Sequence, residues 1–406
     1  MLKSKTQAPF KPVIVRRPIS LTVTICLVFL FFHSLPNKRT ANGKWLPDYD
    51  VEDLPHFLYH SPYREAPDYE YEREVSDALK AVEDSVLSGN GGDRSAEQRI
   101  WQIRLGQAEA ERGRDSITFG ERNAEWQYTL VTDPQADHFI ATTLAPVPGL
   151  QTLYDSYPYH VIRSDLLRYL LLWFYGGYYA DMDVFPAKSI KACPSLHPVF
   201  DLASNISLAV GVEIDEPHAS QQLMRDWHWI RTYGLAQYTF FAPQRFSPLL
   251  REVIVRVLSH TRQHNNHAFP LVGPHYNEKA ILEVTGPGVF TDAILDALSD
   301  SLPPTHPLVT TSVDEDLAIG DLVTPRGEYS PRLTWRPFHH ITQPVCVDAN
   351  EAAIGKEMGG VCVLPVNAWG NGQRHSRAEG FRSEHACVNH RFGGTWKKGW
   401  WGRTFG

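Results

Sequence analysis

Two acidic side chains separated by one residue, Asp181 and Asp183, have the clearest chemical potential in this sequence. They follow the short aromatic run YYA, which is typical of a strand. On an extended chain, residues two apart point to the same face, so both carboxylates would project together. Neighbouring carboxylates repel each other unless a cation lies between them, and hard oxygen ligands suit Mg²⁺ or Mn²⁺. The spacing therefore predicts a divalent metal site that takes further ligands from substrate phosphates.

The residues before this acidic pair predict a helix that positions it. Residues 159–185 read YHVIRSDLLRYLLLWFYGGYYADMDVF. Ser164 is the predicted N-cap, and Gly176 with Gly177 stops the helix. The apolar positions recur at helical spacing and form one broad stripe: Leu166, Leu167, Leu170, Leu171 and Phe174.

Asp165 and Arg168 lie three residues apart on this helix and share one face near its N-terminal end. One interpretation is a surface ion pair on a core helix, which is common and contributes little stability. The other is a polar face that borders the predicted metal site. The order S-D-x-x-R-Y, G-G-x-Y and D-x-D favours the second interpretation, because the combination is far more specific than D-x-D alone.

The stretch SDLLRYLLLWFYGGYYADMDV resembles the DXD region of glycosyltransferase family 32. That family includes fungal initiation-specific α-1,6-mannosyltransferases and inositol-phosphoceramide mannosyltransferases. Two later stretches also fit it, TGPGVFT at residues 285–291 and NHRFGGTW at residues 389–396. The second is similar to the H-x3-G-S-W ending of the initiation-specific enzymes, with Thr395 in place of Ser. RIWQI is similar to the K-I-W-Q-T stretch that opens the family's nucleotide-binding sheet, with Ile103 in place of Thr.

The resemblance implies an α/β protein with a GT-A-type nucleotide-sugar-binding fold and a central mixed sheet. It also implies a metal-dependent hexosyltransferase that moves mannose from GDP-mannose to protein-linked N-glycans, through an α-1,6 bond with retention. Mn²⁺ is the expected cofactor and Mg²⁺ the alternative. The sequence names no obvious nucleophile, which fits a front-face route in which the leaving phosphate helps to deprotonate the acceptor.

The resemblance also implies roles for particular residues. Asp181 and Asp183 are the predicted catalytic residues, and with His390 they form the predicted metal shell. Asp183 is the stronger metal ligand, while Asp181 binds the metal directly, through water, or contacts the ribose. The predicted donor-binding residues are Asp165, Arg168, Tyr169, Gly177, Asp133, Gly286 and Trp396. The first two would hold hydroxyls of the donor sugar.

Some of these residues have purely structural interpretations that stay open. Asp133, followed by Pro134, is also a turn starter. Gly286 is also explained by a tight turn, and Trp396 by packing in the core. His385 lies in the same C-terminal segment as His390, and we expect it to be structural or exposed.

Alternating strand and helix signals support the α/β class. We predict strands at residues 99–103, 126–133, 178–180 and 207–213, and residues 238–243 form a further apolar or aromatic run. We predict helices at about residues 107–112, 135–141, 247–260, 278–284 and 290–298. The stretch 299–345, rich in Pro, Thr and Asp, indicates no clear element.

The N-terminal residues predict a cytoplasmic tail at 1–17, a transmembrane signal-anchor at 18–35, a stem at 36–96 and a lumenal catalytic domain at 97–406. The anchor contains ISLTVTICLVFLFF, which is short beside the roughly 17 to 20 apolar residues of a spanning helix. Basic residues are more numerous before this run than after it, which favours a cytoplasmic N-terminus. A cleaved signal peptide is the alternative to the anchor. An N-terminal subdomain packed on the core, with a helix near residues 72–87, is the alternative to the stem.

The composition is that of a globular protein, and a net charge of -7 gives no sign of a nucleic-acid binder. Cys26 lies in the predicted anchor, and the even number of remaining cysteines permits two disulfides in an oxidising compartment. Cys346 with Cys362 is the first expected pair, because the two close a short loop. Asn205 begins the sequon N-I-S.

We therefore expect a single-pass type II membrane protein of the Golgi, with the catalytic domain in the lumen and a role inside a larger mannosyltransferase complex left open. One alternative is mannose transfer to a glycolipid, inositol-phosphoceramide. A second alternative is a catalytically silent, membrane-anchored sugar-binding protein. A metal-dependent phosphodiesterase would need more clustered His and Asp ligands than the sequence contains.

Overall fold

The structure, a computed structural model, describes residues 61–106, 112–202, 205–267, 273–315, 322 and 329–392. The predicted tail and anchor, most of the helix predicted at 107–112, and Trp396 lie outside the described residues. In the part of the chain that is described, no helix combines the length and the apolar character needed to cross a bilayer. The anchor and its orientation therefore stay predictions.

A mixed sheet of eight strands forms the centre of the described structure. Its strands are β1 (Arg99–Ile103), β2 (Gln127–Val131), β3 (Gly177–Ala180), β5 (Leu208–Asp215), β6 (Tyr233–Leu235), β7 (Thr239–Ala242), β8 (Val345–Val347) and β9 (Val361–Leu364). They lie in the order β2-β1-β3-β7-β5-β9-β8, with β6 paired to β5. β4 (Val184–Pro186) and β10 (Val388–His390) form a separate antiparallel pair.

Strand direction places the carboxyl ends of three strands at one edge of the sheet. β1 is parallel to both β2 and β3, whereas β7 is antiparallel to β3 and β5. β5 and β9 are parallel again. The predicted α/β class with a mixed central sheet is confirmed, and the predicted strands are present with slightly shifted ends.

Helices cover the sheet. The helices of the described residues are α1 (Tyr69–Gly89), α2 (Arg114–Arg122), α3 (Asp133–His138), α4 (Leu150–Ser156), α5 (His160–Tyr175), α6 (His197–Asp201), α7 (Gln221–Trp227), α8 (Pro248–Asn266), α9 (Glu278–Val284), α10 (Pro287–Ser301), α11 (Pro307–Asp314) and α12 (Val366–Trp369). α8, α9 and α10 were predicted, although α8 and α10 extend further. The helix predicted at 135–141 is α3, which begins and ends earlier. The sequence analysis missed α2, α4, α6, α7, α11 and α12, because these helices are short or have few and irregular apolar positions.

The helix α5 begins earlier than predicted. Its N-cap residue is Tyr159, so the prediction of Ser164 as N-cap is wrong and that serine lies in the second turn. The helix ends as expected, because Gly176 adopts φ +67° at the C-cap. Its buried residues surround the axis instead of forming one stripe, since α5 packs against α8 as well as against the sheet.

Part of the predicted stem packs on the rest of the structure. The core residues of α1 are Tyr71, Val75, Leu79 and Val82. α1 packs against α8, and its Glu83, only 1% exposed, pairs with Arg94 and Arg251. The alternative of a subdomain packed on the core therefore describes α1. The boundaries of the predicted tail, anchor, stem and catalytic domain remain predictions.

Two disulfides join parts of the described structure. Cys346 and Cys362 are bonded, as predicted, and connect β8 to β9. Cys193 and Cys387 form the second bond, between positions 194 residues apart. Because Cys387 directly precedes β10, this bond restrains the strand that returns to β4.

Gly177→Ala should lower the free energy of unfolding by about 1–3 kcal/mol. The residue has φ +95°, and an added Cβ would lie 2.6 Å from the carbonyl oxygen of Arg99. Denaturant unfolding followed by circular dichroism measures the change. Gly89→Ala is the matched control, because nothing lies within 4 Å of its added Cβ. Equal stability of the two variants would contradict strain at position 177.

Candidate functional site

The acidic pair lies on a turn, not on a strand. Asp181 follows the last residue of β3, and the backbone N–H of Val184 donates to the carbonyl of Asp181 at 3.1 Å. The premise that both carboxylates project from one face of an extended strand is therefore wrong. Their convergence is nevertheless present, since ligand atoms of Asp181, Asp183 and His390 all lie within 4.8 Å of one another.

Strand pairing brings His390 to the turn from 207 residues away. In the β4–β10 pair, His390 lies opposite Val184, directly after the turn. Its Nε2 lies 3.1 Å from Asp183 Oδ1, and its ring stacks on Tyr238 with centroids 4.2 Å apart. The structure thus brings together all three residues of the predicted metal shell.

Four neighbouring residues form polar contacts with Asp181. The Tyr179 hydroxyl donates to Asp181 Oδ1 at 2.5 Å, and Nη2 of Arg168 lies 3.4 Å from the same oxygen. The side-chain amide of Gln102 donates to the Asp181 carbonyl at 3.0 Å, and the Asp181 N–H donates to the Tyr238 carbonyl. These contacts engage Oδ1 and direct the carboxylate. Two carboxylates and one imidazole converging in this way fit a divalent cation.

Asp165 and Arg168 form a buried ion pair, so the surface interpretation is wrong. Arg168 Nη2 lies 3.0 Å from Asp165 Oδ1, and the Thr285 hydroxyl donates to Asp165 Oδ2 at 2.9 Å. Burial raises the pKa of Asp165 to about 7, against the opposing effect of Arg168. Asp165 is 3% exposed and Arg168 is 6% exposed. Their burial favours positioning of Asp181 over direct contact with sugar hydroxyls.

Three other predicted donor-binding residues have packing roles in the structure. Tyr169 is fully buried, and its hydroxyl donates to the Thr285 carbonyl at 2.9 Å. Gly286 is the N-cap of α10, where a Cβ would meet Leu282 Cα at 2.7 Å. Gly177 begins β3, at the opposite end of the strand from Asp181. Their donor-binding roles remain predictions that these positions do not support.

Asp133 lies at the same edge of the sheet as Asp181. It follows β2 and is the first residue of α3. Asp133 therefore starts a helix and not a simple turn. Asp133 Oδ2 accepts from the Gly106 N–H at 2.8 Å, which connects it to the chain leaving β1. In open α/β sheets, ligands bind outside the carboxyl ends of strands. This position is compatible with the predicted donor-binding role.

A cavity of about 650 Å³ beside the metal shell was missed by the sequence analysis. His390 and Phe392 line it together with residues from four other segments. Those include Glu213, Trp227, Trp229, Gln373 and His375. Glu213 had one available signal, because it interrupts the apolar run LAVGV of β5. The two tryptophans lie on a helix end that the sequence analysis did not predict.

Glu213 titrates in an unusual range. Burial raises its pKa to about 7; His390 opposes this effect, and the negative charge of Asp181 adds to it. Without a bound metal ion, the cavity wall therefore contains a carboxyl group that keeps its proton to a higher pH than an ordinary glutamate.

A second cluster of possible ligands lies around Asp215, with His339 and His340. The Asp215 carboxylate is 1% exposed and already accepts two bonds. His339 Nδ1 lies 2.6 Å from Oδ1, and the His340 backbone N–H donates to Oδ2 at 2.7 Å. With these two bonds, Asp215 holds the loop that contains His339 and His340, and the cluster has a structural explanation without a metal ion.

Residues 116–200 match the family described as glycosyltransferase sugar-binding region containing DXD motif, and this range includes α5, β3 and the acidic turn. The chain is 24% identical over 283 residues to an initiation-specific alpha-1,6-mannosyltransferase of Candida albicans, covering 69% of this chain and 65% of the relative. It is 25% identical over 277 residues to the protein of the same name from Schizosaccharomyces pombe, covering 67% and 56%. The matched part thus spans less than two thirds of either relative.

Shorter or weaker similarities exist as well. Inositol phosphoceramide mannosyltransferase 3 of Schizosaccharomyces pombe is 47% identical over 73 residues, which is 18% of this chain and 19% of that protein. Among solved structures, the PaToxG glycosyltransferase covers 56% of this chain and 80% of its own, at 16% identity and a TM-score of 0.32.

Glu213→Gln should reduce the fall in stability between about pH 4.5 and pH 7. The folded state holds the Glu213 proton up to a pKa of about 7, above the ordinary value of 4.5, so stability is lost as pH rises through this window. Urea unfolding at several pH values, with EDTA present, measures the slope. Exposed Glu384→Gln controls for the loss of a charge. An unchanged slope in the Glu213 variant would contradict the assignment.

His390→Gln should weaken Mn²⁺ binding by about tenfold or more, because it removes one of three converging ligands. Isothermal titration of the metal-free protein with Mn²⁺ alone measures this affinity. His385→Gln is the matched control, since that ring pairs with Glu379 outside the metal shell. Similar affinities of the two variants would exclude His390 from the site.

Proposed function

We propose that this protein is a metal-dependent glycosyltransferase that moves mannose from GDP-mannose to a glycan acceptor, because residues 116–200 match the glycosyltransferase sugar-binding region containing a DXD motif. The convergence of Asp181, Asp183 and His390 beside a cavity carries the proposal. The names of the Candida and Schizosaccharomyces relatives support mannose and an α-1,6 bond. Retention and a protein-linked N-glycan acceptor belong to the same proposal.

We further propose a GT-A-type arrangement of the donor. The nucleoside would lie at the carboxyl ends of β1 and β2, near Gly106 and Asp133. The diphosphate would then lie at the end of β3, beside the acidic turn, and the sugar would point toward the cavity. The parallel direction of these three strands supports this order, because it places their carboxyl ends side by side.

Asp181, Asp183 and His390 would hold the cofactor, Mn²⁺ or alternatively Mg²⁺. A cation bound there supplies Lewis-acid stabilisation of the leaving diphosphate. Tyr179 and Arg168 keep Asp181 directed, as their distances of 2.5 and 3.4 Å to Oδ1 indicate. The Arg168 guanidinium also adds a fixed positive charge near the position where negative charge develops.

An α-linked donor that gives an α-linked product requires retention of configuration. We propose a front-face route, in which the leaving phosphate helps to deprotonate the acceptor hydroxyl group. Glu213 would support a double displacement instead, because its carboxyl group lines the same cavity as His390. Detection of a covalent glycosyl adduct on Glu213 would favour the second route.

We propose that the protein is a single-pass type II membrane protein of the Golgi that acts in the lumen, within a mannosyltransferase complex. The apolar run in residues 18–35 and the basic residues before it support the anchor. The two disulfides of the described residues suit an oxidising compartment.

Mannose transfer to a glycolipid is the second candidate function. It is favoured by the 73-residue similarity to inositol phosphoceramide mannosyltransferase 3 of Schizosaccharomyces pombe. A catalytically silent sugar-binding protein is the remaining alternative, and it predicts no donor turnover at all.

Asp183→Ala should abolish mannose transfer and leave the circular dichroism spectrum unchanged, because the carboxylate lies on a turn and its loss need not disturb the sheet. Release of GDP from GDP-mannose, with Mn²⁺ present and absent, measures the activity. Asp155→Ala, an exposed aspartate of α4, is the control. Normal metal-dependent turnover by the Asp183 variant would refute the assignment.

The wild-type protein should release GDP from GDP-mannose faster than it turns over UDP-sugars. Linkage analysis of the product on a mannose-terminated acceptor should then identify an α-1,6 bond. A different linkage or a preferred lipid acceptor would move the assignment to the second candidate, and no turnover with any donor would favour the silent protein.

A further inference from the structure

The cavity beside the metal shell is larger than transfer of one sugar ring requires. Its volume of about 650 Å³ lies in the range of roughly 300–1,000 Å³ that is typical of pockets for drug-sized ligands. A single hexose is smaller than such ligands. The wall contains the aromatic side chains Trp227, Trp229, Tyr233, Phe381 and Phe392.

The two tryptophans of this wall are brought together by a special backbone conformation. α7 ends at Trp227, and His228 follows in the left-handed region with φ +58°. The Trp229 N–H donates to the Met224 carbonyl at 2.8 Å, which closes the end of the helix. The rings of Trp227 and Trp229 therefore stack, with centroids 5.6 Å apart and an interplanar angle of 22°. We call them the tryptophan pair.

His375 supports the tryptophan pair from the side. Its ring lies edge-on to Trp227 and Trp229, with centroid distances of 5.0 and 4.7 Å. Burial lowers the pKa of His375 to about 4, so the ring is neutral at physiological pH. The His390 ring, by contrast, contacts Tyr238 and Phe392. The tryptophan pair and His390, the member of the metal shell named in the cavity wall, thus occupy separate parts of that wall.

Exposed aromatic rings are concentrated in this cavity. Of the eight large hydrophobic side chains that are exposed among the described residues, three line it, namely Trp227, Phe381 and Phe392. Exposed apolar groups gathered in one concave surface indicate a ligand. A single exposed ring is common on a protein surface. Three exposed rings in the same cavity are better explained by a ligand that covers them.

Polar groups accompany these rings. Gln373 is 8% exposed, and its Nε2 donates to the Glu213 carbonyl at 2.6 Å. Its Oε1 is buried and has no hydrogen-bond partner among the described residues. A buried acceptor without a partner costs free energy unless a ligand or water donates to it. A hydroxyl group of a ligand would satisfy this oxygen.

The charges of the wall argue against two other kinds of ligand. Glu213, Glu278 and Arg374 line the cavity, and burying such groups against a lipid chain would be costly. Arg391 also lines it, but its guanidinium is paired with Asp115, at 2.6 Å between Nη2 and Oδ1. This pairing leaves less positive charge for an anionic ligand. A neutral ligand with hydroxyl groups and apolar faces fits both aromatic and polar walls.

We propose that this cavity is the acceptor site and that it takes a neutral oligosaccharide of at least two sugar rings. The reacting ring lies near His390, and a ring further along the acceptor stacks on the tryptophan pair. Pyranose rings present C–H groups that pack against the negative face of an aromatic ring, while their hydroxyls reach groups such as Gln373. This inference rests on the proposed function, because it assigns the second substrate of that transfer.

The test compares acceptors of different length with the full-length protein, GDP-mannose and Mn²⁺. The acceptors are methyl α-mannoside and α-mannotriose. Trp227→Ala should lower kcat/KM about tenfold with mannotriose and clearly less with the monosaccharide, since only the longer acceptor reaches the tryptophan pair. A tenfold loss equals about 1.4 kcal/mol, the size of one aromatic contact. Trp227→Phe should recover most of the loss.

Tyr69→Ala is the matched control, because Tyr69 is 59% exposed on α1 and does not line the cavity. This variant should retain wild-type kinetics with both acceptors. Equal losses for the two acceptors in Trp227→Ala, or no loss for either, would overturn the proposal. Stronger competition by inositol 1-phosphate than by mannotriose would overturn it in favour of a lipid head group.

A direct binding measurement separates this inference from the proposed function. Mannotriose should quench the tryptophan fluorescence of the wild-type protein, and the quench should be weaker in Trp227→Ala and Trp229→Ala. If the wild type releases no GDP but binds mannotriose in this way, the proposed function fails and the oligosaccharide site stands. If the wild type turns over donor but the quench is absent, the site fails and the proposed function stands.

Discussion

A buried guanidinium, that of Arg168, connects the central helix to the acidic turn. It lies 3.0 Å from Asp165 on its own helix and 3.4 Å from Asp181 beyond the double glycine. Removing one member of a buried ion pair leaves an uncompensated charge and typically costs about 3–5 kcal/mol. The two glycines keep the connection between α5 and β3 short, so the Arg168 guanidinium can reach the carboxylates of both Asp165 and Asp181. The position of Asp181 therefore depends on the packing of α5 in the core.

A second constraint joins the middle of the chain to the last described residues. The β4–β10 pair and the bond between Cys193 and Cys387 bring His390 against Asp183. A metal shell assembled from such distant positions can form only when the fold is complete. The same return of the chain places Arg391 and Phe392 in the cavity wall. The metal shell and one wall of the cavity consequently depend on the same long-range contacts.

Several features could be predicted because their signals are local. The break at Gly176, the apolar run of β5 and the alternation around β2 each depend on neighbouring residues. The burial of Asp165 could not be predicted in this way, because an i, i+3 ion pair looks the same on a surface helix and on an enclosed one. The tryptophan pair was missed for a related reason. Its geometry depends on one left-handed residue, His228, which periodicity does not reveal.

The sequence by itself determined which chemical groups are available and which local elements carry them: an acidic pair after a double glycine, a long apolar helix before it, and a histidine near the C-terminal end. The family resemblance of the sequence also named His390 as a metal ligand. Only the tertiary structure decided that the acids converge through a turn, that strand pairing places His390 against Asp183, and that an aromatic cavity opens beside them. The physical reason is the distance along the chain over which each effect acts. Backbone propensity and spacing act over a few residues, whereas burial and convergence are set by packing between segments that lie far apart in the chain.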